Sequence, residues 1–153
     1  FRDWGIRFAG LSELVEGYDN GNPEGIFHTL FIGTLGGRGR LLTPSLHLDL
    51  LPGSLLVFPP DTPVRFAADG NWEILWFYTS ANGVWQSPDE ALLRPCACLP
   101  ALKIFMESYL EDADGGEGTL PAAHAAALLA MTRLRAASGL GSDISARKRE
   151  LNL

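Results

Sequence analysis

Short apolar runs separated by turns that contain glycine and proline fill the first half of the chain. Residues 25–35 (GIFHTLFIGTL) are apolar at most positions, which is typical of a strand that is buried on both faces. Residues 54–58 (SLLVF), 63–68 (PVRFAA) and 72–79 (WEILWFYT) predict three further strands, and residues 40–50 predict two strands joined by a turn. Several short strands at this spacing predict an all-β barrel or jelly roll.

Three short segments are expected to end or redirect these strands. Residues 36–39 (GGRG) predict a turn after the first strand, and residues 69–71 (DGN) predict the end of the strand at 63–68. The two prolines at 59–60 lack backbone N–H groups and have restricted φ angles, so they predict a rigid corner that orients the next strand. The pattern of residues alone leaves open whether this corner is only structural or is also a binding site.

The second half has a helical pattern. Residues 99–113 and 119–139 each predict a helix, the second ending at a glycine and rich in alanine. The predicted fold is therefore mainly β: a barrel over residues 1–86, a pair of C-terminal α-helices over residues 87–141, and a linker over residues 142–153. The first helix has an apolar stripe formed by Leu102, Phe105, Met106, Tyr109 and Leu110.

Composition narrows the class of protein. The chain has 153 residues, 46% of them hydrophobic, so it is long enough for one domain with a substantial core. Its net charge of −6 argues against binding nucleic acid through phosphates, which requires lysine and arginine. No apolar run approaches the ~18–20 residues that span a bilayer, so we expect no membrane partner. The chain starts at Phe1 with no signal peptide, and we expect a cytoplasmic piece of a longer protein.

Candidate catalytic and metal-binding residues are sparse. The three histidines, His28, His47 and His124, form no His-x-His motif, and the sequence contains no Gly-x-Ser-x-Gly motif. Cys96 and Cys98 are separated by one residue, a spacing that rarely suits a disulfide, and there is no second cysteine pair for zinc. We therefore expect two reduced thiols, no metal, no cofactor and no catalytic residue.

Aromatic residues are the strongest candidates for a ligand-binding site. Ile74, Trp76 and Tyr78 share one face of the predicted strand at 72–79, because side chains alternate along a strand. Two interpretations stay open for this face: it fills the core, or it forms a wall that stacks against a sugar or another ring.

Four motifs occur in a specific order: Pro23-Glu24-Gly25, the sequence GRGRL at 37–41, PGSLLVFPP at 52–60, and a tryptophan followed by WFY at 72–78. In this order, residues 20–137 resemble the N-terminal effector-binding and dimerisation domain of AraC-family transcription regulators. The resemblance implies a cupin-like jelly roll followed by helices that pair two subunits. It also implies that the Pro59-Pro60 corner is a structural corner that orients the next strand and not a binding site. It also implies that DNA is bound only by a helix-turn-helix domain that lies beyond this chain, in a bacterial regulator.

The resemblance also implies where an effector binds. In the arabinose-sensing member of the family, the sugar-binding arginine corresponds to Asn22, a tyrosine to Phe66 and a histidine to Ile74, while the stacking tryptophan is retained as Trp76. The three replacements reduce polarity or charge, so we expect weak arabinose binding and a different sugar, a less polar aromatic effector, or none. An N-terminal arm over the effector is expected to be short or missing. The candidate ligand-binding residues are Asn22, His28, Phe66, Ile74, Trp76 and Tyr78.

The second predicted helix is similar to the dimer helix of these regulators. Its small and apolar residues suit close helix packing, although the same face could pack on the barrel instead. The sequence thus predicts a sensor domain that binds a small molecule, a sugar or another small ligand with the sugar type favoured, and that forms a homodimer. A cupin-fold enzyme and a ligand-free dimerisation module are the alternatives. The candidate dimer residues are Ala127, Leu128, Met131 and Leu134.

Overall fold

The computed structural model describes residues 6–79 and 88–114. The elements are β1 (Ile6–Leu14), β2 (Asp19–Asn22), β3 (Thr29–Leu42), β4 (His47–Leu50), β5 (Ser54–Phe58), β6 (Val64–Thr79), β7 (Leu92–Pro95) and α1 (Leu99–Asp114). The predicted second helix and the linker lie outside the described residues. So do the candidate dimer residues Ala127, Leu128, Met131 and Leu134.

The seven strands found in the described ranges belong to one antiparallel sheet, which confirms a mainly β fold. The strand order is β1-β6-β3-β5-β7, with β2 also paired to β6 and β4 also paired to β3. Strands β1, β2 and β7 were not expected from the sequence. Strand β2 consists of Asp, Asn and Gly, which usually indicate a turn, and β7 follows residue 86, the predicted end of the barrel.

Two predicted interruptions of the strands are wrong. Strand β3 continues through residues 36–39 and β6 continues through residues 69–71, so each is one long strand. The ladder between them shifts register between Gly37 and Gly39, which places one residue of β3 opposite residues 69–71 of β6. Gly37 has a φ of +70°, a conformation that glycine adopts without a Cβ clash. The two segments therefore form β-bulges within the ladder, which bend a strand and increase its twist.

The bulges divide the two long strands into halves with different neighbours. The first half of β3 pairs with β5 and its second half with β4. The first half of β6 pairs with β2 and its second half with β1. Strands from distant parts of the sequence consequently meet along β6.

The two faces of the sheet bury separate apolar clusters. On one face, Leu75 and Phe77 of β6 pack with Leu99 and Leu102 of α1, and the ring of Phe77 stacks on that of Phe31 with centroids 4.6 Å apart. On the other face, residues such as Trp72 and Ile74 pack against β3, β4 and β5. The predicted division of β6 into two faces is confirmed by this arrangement.

Helix α1 confirms the first predicted helix. Leu102 and Met106 of its predicted stripe are buried, whereas the side chains of Phe105, Tyr109 and Leu110 lie outside the described part. Lys103 donates a hydrogen bond to Glu73 of β6, with Nζ 2.8 Å from Oε1. Within the described ranges, no helix is long and apolar enough to cross a membrane.

We predict that Gly39→Ala destabilises the protein, because a Cβ at this position would overlap the indole ring of Trp72. Trp72 is buried, and its Nε1 donates a hydrogen bond to Thr34 Oγ1 at 3.2 Å, so the ring has little freedom to move. The free energy of unfolding should fall by about 1–3 kcal/mol in urea denaturation. Gly21→Ala is the matched control, since a Cβ there meets no atom within 4 Å. Equal losses in the two variants would contradict this packing.

Candidate functional site

A cavity of about 200 Å³ lies on the face of the sheet opposite α1. Its lining comes from β1, β2, β3 and β6 and from the segments between them. Aliphatic side chains form part of the wall: Leu14, Ile26, Leu30, Ile32 and Ile74. Aromatic side chains form another part: Tyr18, Phe66, Trp72, Trp76 and Tyr78. The remaining side chains, all polar and uncharged, are Ser12, Asn20 and Asn22.

The structure brings five of the six candidate ligand-binding residues together. The five that line the cavity are Asn22, Phe66, Ile74, Trp76 and Tyr78. His28 is beside the cavity and does not line it: its ring centroid is 6.2 Å from that of Tyr78 and 5.2 Å from that of Phe27. A role in ligand binding stays a prediction for all six residues.

Two contacts orient Trp76 within the cavity wall. Its Nε1 donates a hydrogen bond to Ser12 Oγ on β1, at 2.9 Å. Gly10 is opposite Trp76 in the β1–β6 ladder, and a Cβ at Gly10 would be only 2.7 Å from the indole ring. Because its N–H already has a protein acceptor, Trp76 offers a ligand ring surface more than a hydrogen-bond donor.

The polar part of the lining depends on the register of β2. Asn20 and Asn22 are two residues apart, so both side chains lie on the same face of this strand, toward the cavity. Asp19 points away from them and forms an ion pair with Arg65 of β6, at 2.5 Å between Oδ2 and Nη2. The hydrogen bond from Arg65 lowers the pKa of Asp19 below its usual value. The pairing of β2 with β6 therefore directs the ion pair away from the cavity, while the exposed Asn20 and the half-buried Asn22 line the cavity.

Sequence reasoning missed Ser12, Tyr18 and Asn20. The segment that contains them has few β-branched residues and several turn-forming residues, so β1 and β2 were not recognised as strands. The spacing of Tyr18, Asn20 and Asn22 could have revealed these residues. They are two residues apart, which is the period of a strand, so their polar or amphipathic side chains lie on one face.

The described histidines do not form a metal site. His47 is exposed on β4 and His28 is on the segment before β3, while His124 lies outside the described residues. Over residues 6–79 and 88–114, no three His, Cys, Asp or Glu side chains are grouped so that they could hold a metal ion.

Two known structures are similar to this chain at low sequence identity. ToxT from Vibrio cholerae, in a crystal structure with a bound unsaturated fatty acid, has a TM-score of 0.53 and 10% identity, covering 92% of this chain and 55% of ToxT. A cupin superfamily protein from Desulfitobacterium hafniense has a TM-score of 0.42 and 20% identity, covering 46% of this chain and 63% of that protein. The chain thus spans less than two thirds of either protein.

No curated protein sequence matches the chain. Residues 26–149, however, match the family model described as the AraC-like ligand binding domain. The match extends over most of the 153 residues and agrees with the motifs at 37–41 and 52–60. The chain therefore belongs to the family of AraC-like ligand binding domains.

Proposed function

We propose that this domain is the effector sensor of a bacterial AraC-family transcription regulator and that it binds a compact, uncharged molecule in the cavity. The proposal rests on the residues that line the cavity. Five of them lie at or beside the effector positions implied by the family resemblance, and none of the described lining side chains is charged. The role is regulatory and not catalytic. DNA contact belongs to a separate domain of the regulator, in the cytoplasm.

Charge is the first constraint on the effector. An ionised ligand that enters a cavity without charged groups loses part of its hydration, and this loss is offset only by an opposite charge or several hydrogen bonds. The cavity presents two amides, hydroxyl groups and apolar surface. ToxT has been crystallised with an unsaturated fatty acid, but a carboxylate would find no cationic partner in the lining described here. A neutral effector is therefore favoured.

Size is the second constraint. A cavity of ~150 Å³ holds a molecule such as benzene, and drug-sized ligands occupy ~300–1,000 Å³. The cavity of about 200 Å³ thus suits a single ring with a few substituents. A long acyl chain or a disaccharide would exceed this space unless the walls moved.

The distribution of polar groups is the third constraint. Trp76 and Phe66 offer ring surface, whereas Asn20 and Asn22 offer amides along the β2 side. Burial is the main cause that raises the pKa of Tyr78 above its usual value, so its hydroxyl stays neutral at physiological pH. A ring with an apolar face and hydroxyl groups along one edge fits these walls. We propose a neutral monosaccharide or a small phenol or aromatic alcohol.

Strand β6 offers a physical route from the cavity to the helices. Trp76 faces the cavity, while its neighbours Leu75 and Phe77 pack against α1 on the other face. Lys103 of α1 also pairs with Glu73 of the same strand. An effector that prefers one position of β6 would therefore shift the position of α1, which precedes the predicted dimer helix.

We predict that a thermal-shift and tryptophan-fluorescence screen will find neutral single-ring effectors. The panel consists of monosaccharides, phenol and benzyl alcohol, each paired with an acidic analogue such as glucuronate or benzoate. A neutral hit at 100 times its Kd should raise the free energy of unfolding by about 2.7 kcal/mol, because it binds only the folded state. Its acidic analogue should bind at least about tenfold more weakly.

Two matched variants locate the binding site. Asn22→Asp adds a charge to the cavity with little change in shape and should weaken the neutral hit by about tenfold or more. Asn71→Asp makes the same change at an exposed position outside this cavity and should bind as the unmodified chain does. Equal affinity in both variants would place the effector elsewhere. Absence of any hit would favour the ligand-free dimerisation module.

We predict that Tyr78 makes stability fall at high pH. The pKa of Tyr78 is raised in the folded state, so above about pH 10 the unfolded chain loses this proton first. The contribution of neutral Tyr78 to the free energy of unfolding is fully present below about pH 10. It falls as the pH rises toward the raised pKa of the folded state and then stays constant. Tyr78→Phe should remove this part of the slope in urea unfolding series between about pH 9 and 11. An unchanged slope would show that Tyr78 is not shielded from water.

We predict that the paired substitution of Met131→Glu and Leu134→Glu converts a dimer into monomers. Charges on the predicted dimer helix would have to be desolvated in the interface, which opposes association. Sedimentation velocity measures the result, with Leu51→Glu as a control because Leu51 is half exposed on a turn before β5. Dimers that persist in the paired variant would refute the helix assignment.

A further inference from the structure

The structure brings the sulfur atoms of the two cysteines close together. Cys96 follows β7 directly, and Cys98 directly precedes α1. Their Sγ atoms are 3.3 Å apart, and neither thiol is in a disulfide. This is the only sulfur pair that the chain can form internally, because its sequence contains two cysteines.

Backbone hydrogen bonds hold both residues in this arrangement. The N–H of Cys96 donates to the carbonyl of Gly53 at 2.7 Å, which ties the segment to the turn before β5. The carbonyl of Cys98 accepts from the N–H of Leu102 at 3.0 Å and thereby closes the first turn of α1. The proximity of the two sulfurs thus results from the strand-to-helix connection itself.

The two thiols differ in their access to solvent. Cys96 is 3% exposed and belongs to the apolar cluster beneath α1, whereas Cys98 is half-buried at the edge of this cluster. Burial, together with a hydrogen bond to Cys98, raises the pKa of Cys96 to about 11. A reagent in solution therefore reaches Cys98 first, and Cys96 is the protected second thiol.

We propose that Cys96 and Cys98 form a dithiol redox site that a small-molecule disulfide oxidises to an intramolecular disulfide. In the first step, the Cys98 thiolate attacks one sulfur of the small disulfide and forms a mixed disulfide with it. The S–S bond of the reagent breaks, and its other sulfur leaves as a thiolate that takes up a proton. In the second step, deprotonated Cys96 attacks Cys98 Sγ and releases the other half of the reagent as a second thiolate. The protein loses two electrons and two protons, and the reagent gains both.

Oxidation would change the start of α1. A disulfide has an S–S length of about 2.05 Å, so the two sulfurs must approach by about 1.3 Å. Cys98 closes the first helical turn and Leu99 is fully buried against the sheet, so this movement is transmitted to the contact between α1 and β6. The dithiol lies on the other face of the sheet from the cavity, so its oxidation does not require a bound effector.

The test is a redox titration of the full chain with mixtures of oxidised and reduced glutathione, quenched with N-ethylmaleimide and read by intact mass. We expect both alkylatable thiols to disappear together, with a mass loss of two hydrogens and no retained glutathione. Retention of both thiols across the titration would overturn the proposal. So would a stable glutathione adduct in the unmodified chain, or an intermolecular disulfide in a non-reducing gel.

Two single variants test the order of the steps. Cys96→Ala should accumulate the glutathione adduct at Cys98, because the second thiol is missing. Cys98→Ser should form a glutathione adduct at Cys96 at a rate at least about tenfold lower than the rate at Cys98 in Cys96→Ala, because Cys96 is buried. Similar rates in the two variants would contradict the assigned roles. Circular dichroism verifies folding, and if Cys96→Ala does not fold, the titration of the unmodified chain decides the proposal alone.

Discussion

The architecture depends on one strand, β6, whose two faces must both be buried. Leu75 and Phe77 need the cover of α1, while Ile74 and Trp76 need the cluster and cavity on the other face. Side chains alternate along a strand, so a slip of one residue would exchange these two sets. The long ladder with β3, from Thr29 opposite Thr79 to Leu42 opposite Arg65, keeps the register in place. Cavity shape and helix docking therefore share one constraint.

The β-bulges in the two long strands determine which strands meet at the cavity. Because β6 bends instead of ending at residues 69–71, it pairs with β1 along one half and with β2 along the other. This geometry brings Ser12, Asn22 and Trp76 to the same cavity, although Trp76 is more than 50 residues from either of the others. A local irregularity in the backbone thus has a direct effect on the proposed binding site.

The proposed effector cavity and the proposed dithiol site lie on opposite faces of the same sheet. The cavity contacts β6 through Trp76, and the dithiol adjoins the cluster in which Phe77 packs against α1. Both sites can consequently act on the position of α1, one through a wall strand and the other through the first helical turn. In a regulator, effector binding and oxidation of the dithiol would then both shift the equilibrium between two positions of α1.

The sequence by itself determined the mainly β class, the first helix, the family and the two faces of β6, because these follow from local periodicity and ordered motifs. It also identified five residues that line the cavity, through the family resemblance and the aromatic pattern. Only the tertiary structure decided that residues 36–39 and 69–71 are bulges, that the polar segment at 19–22 is a strand, and that the sulfurs of Cys96 and Cys98 approach to 3.3 Å. Glycine and asparagine suit turns and bulges equally, so the choice is made by pairing with a distant strand, which no local pattern records.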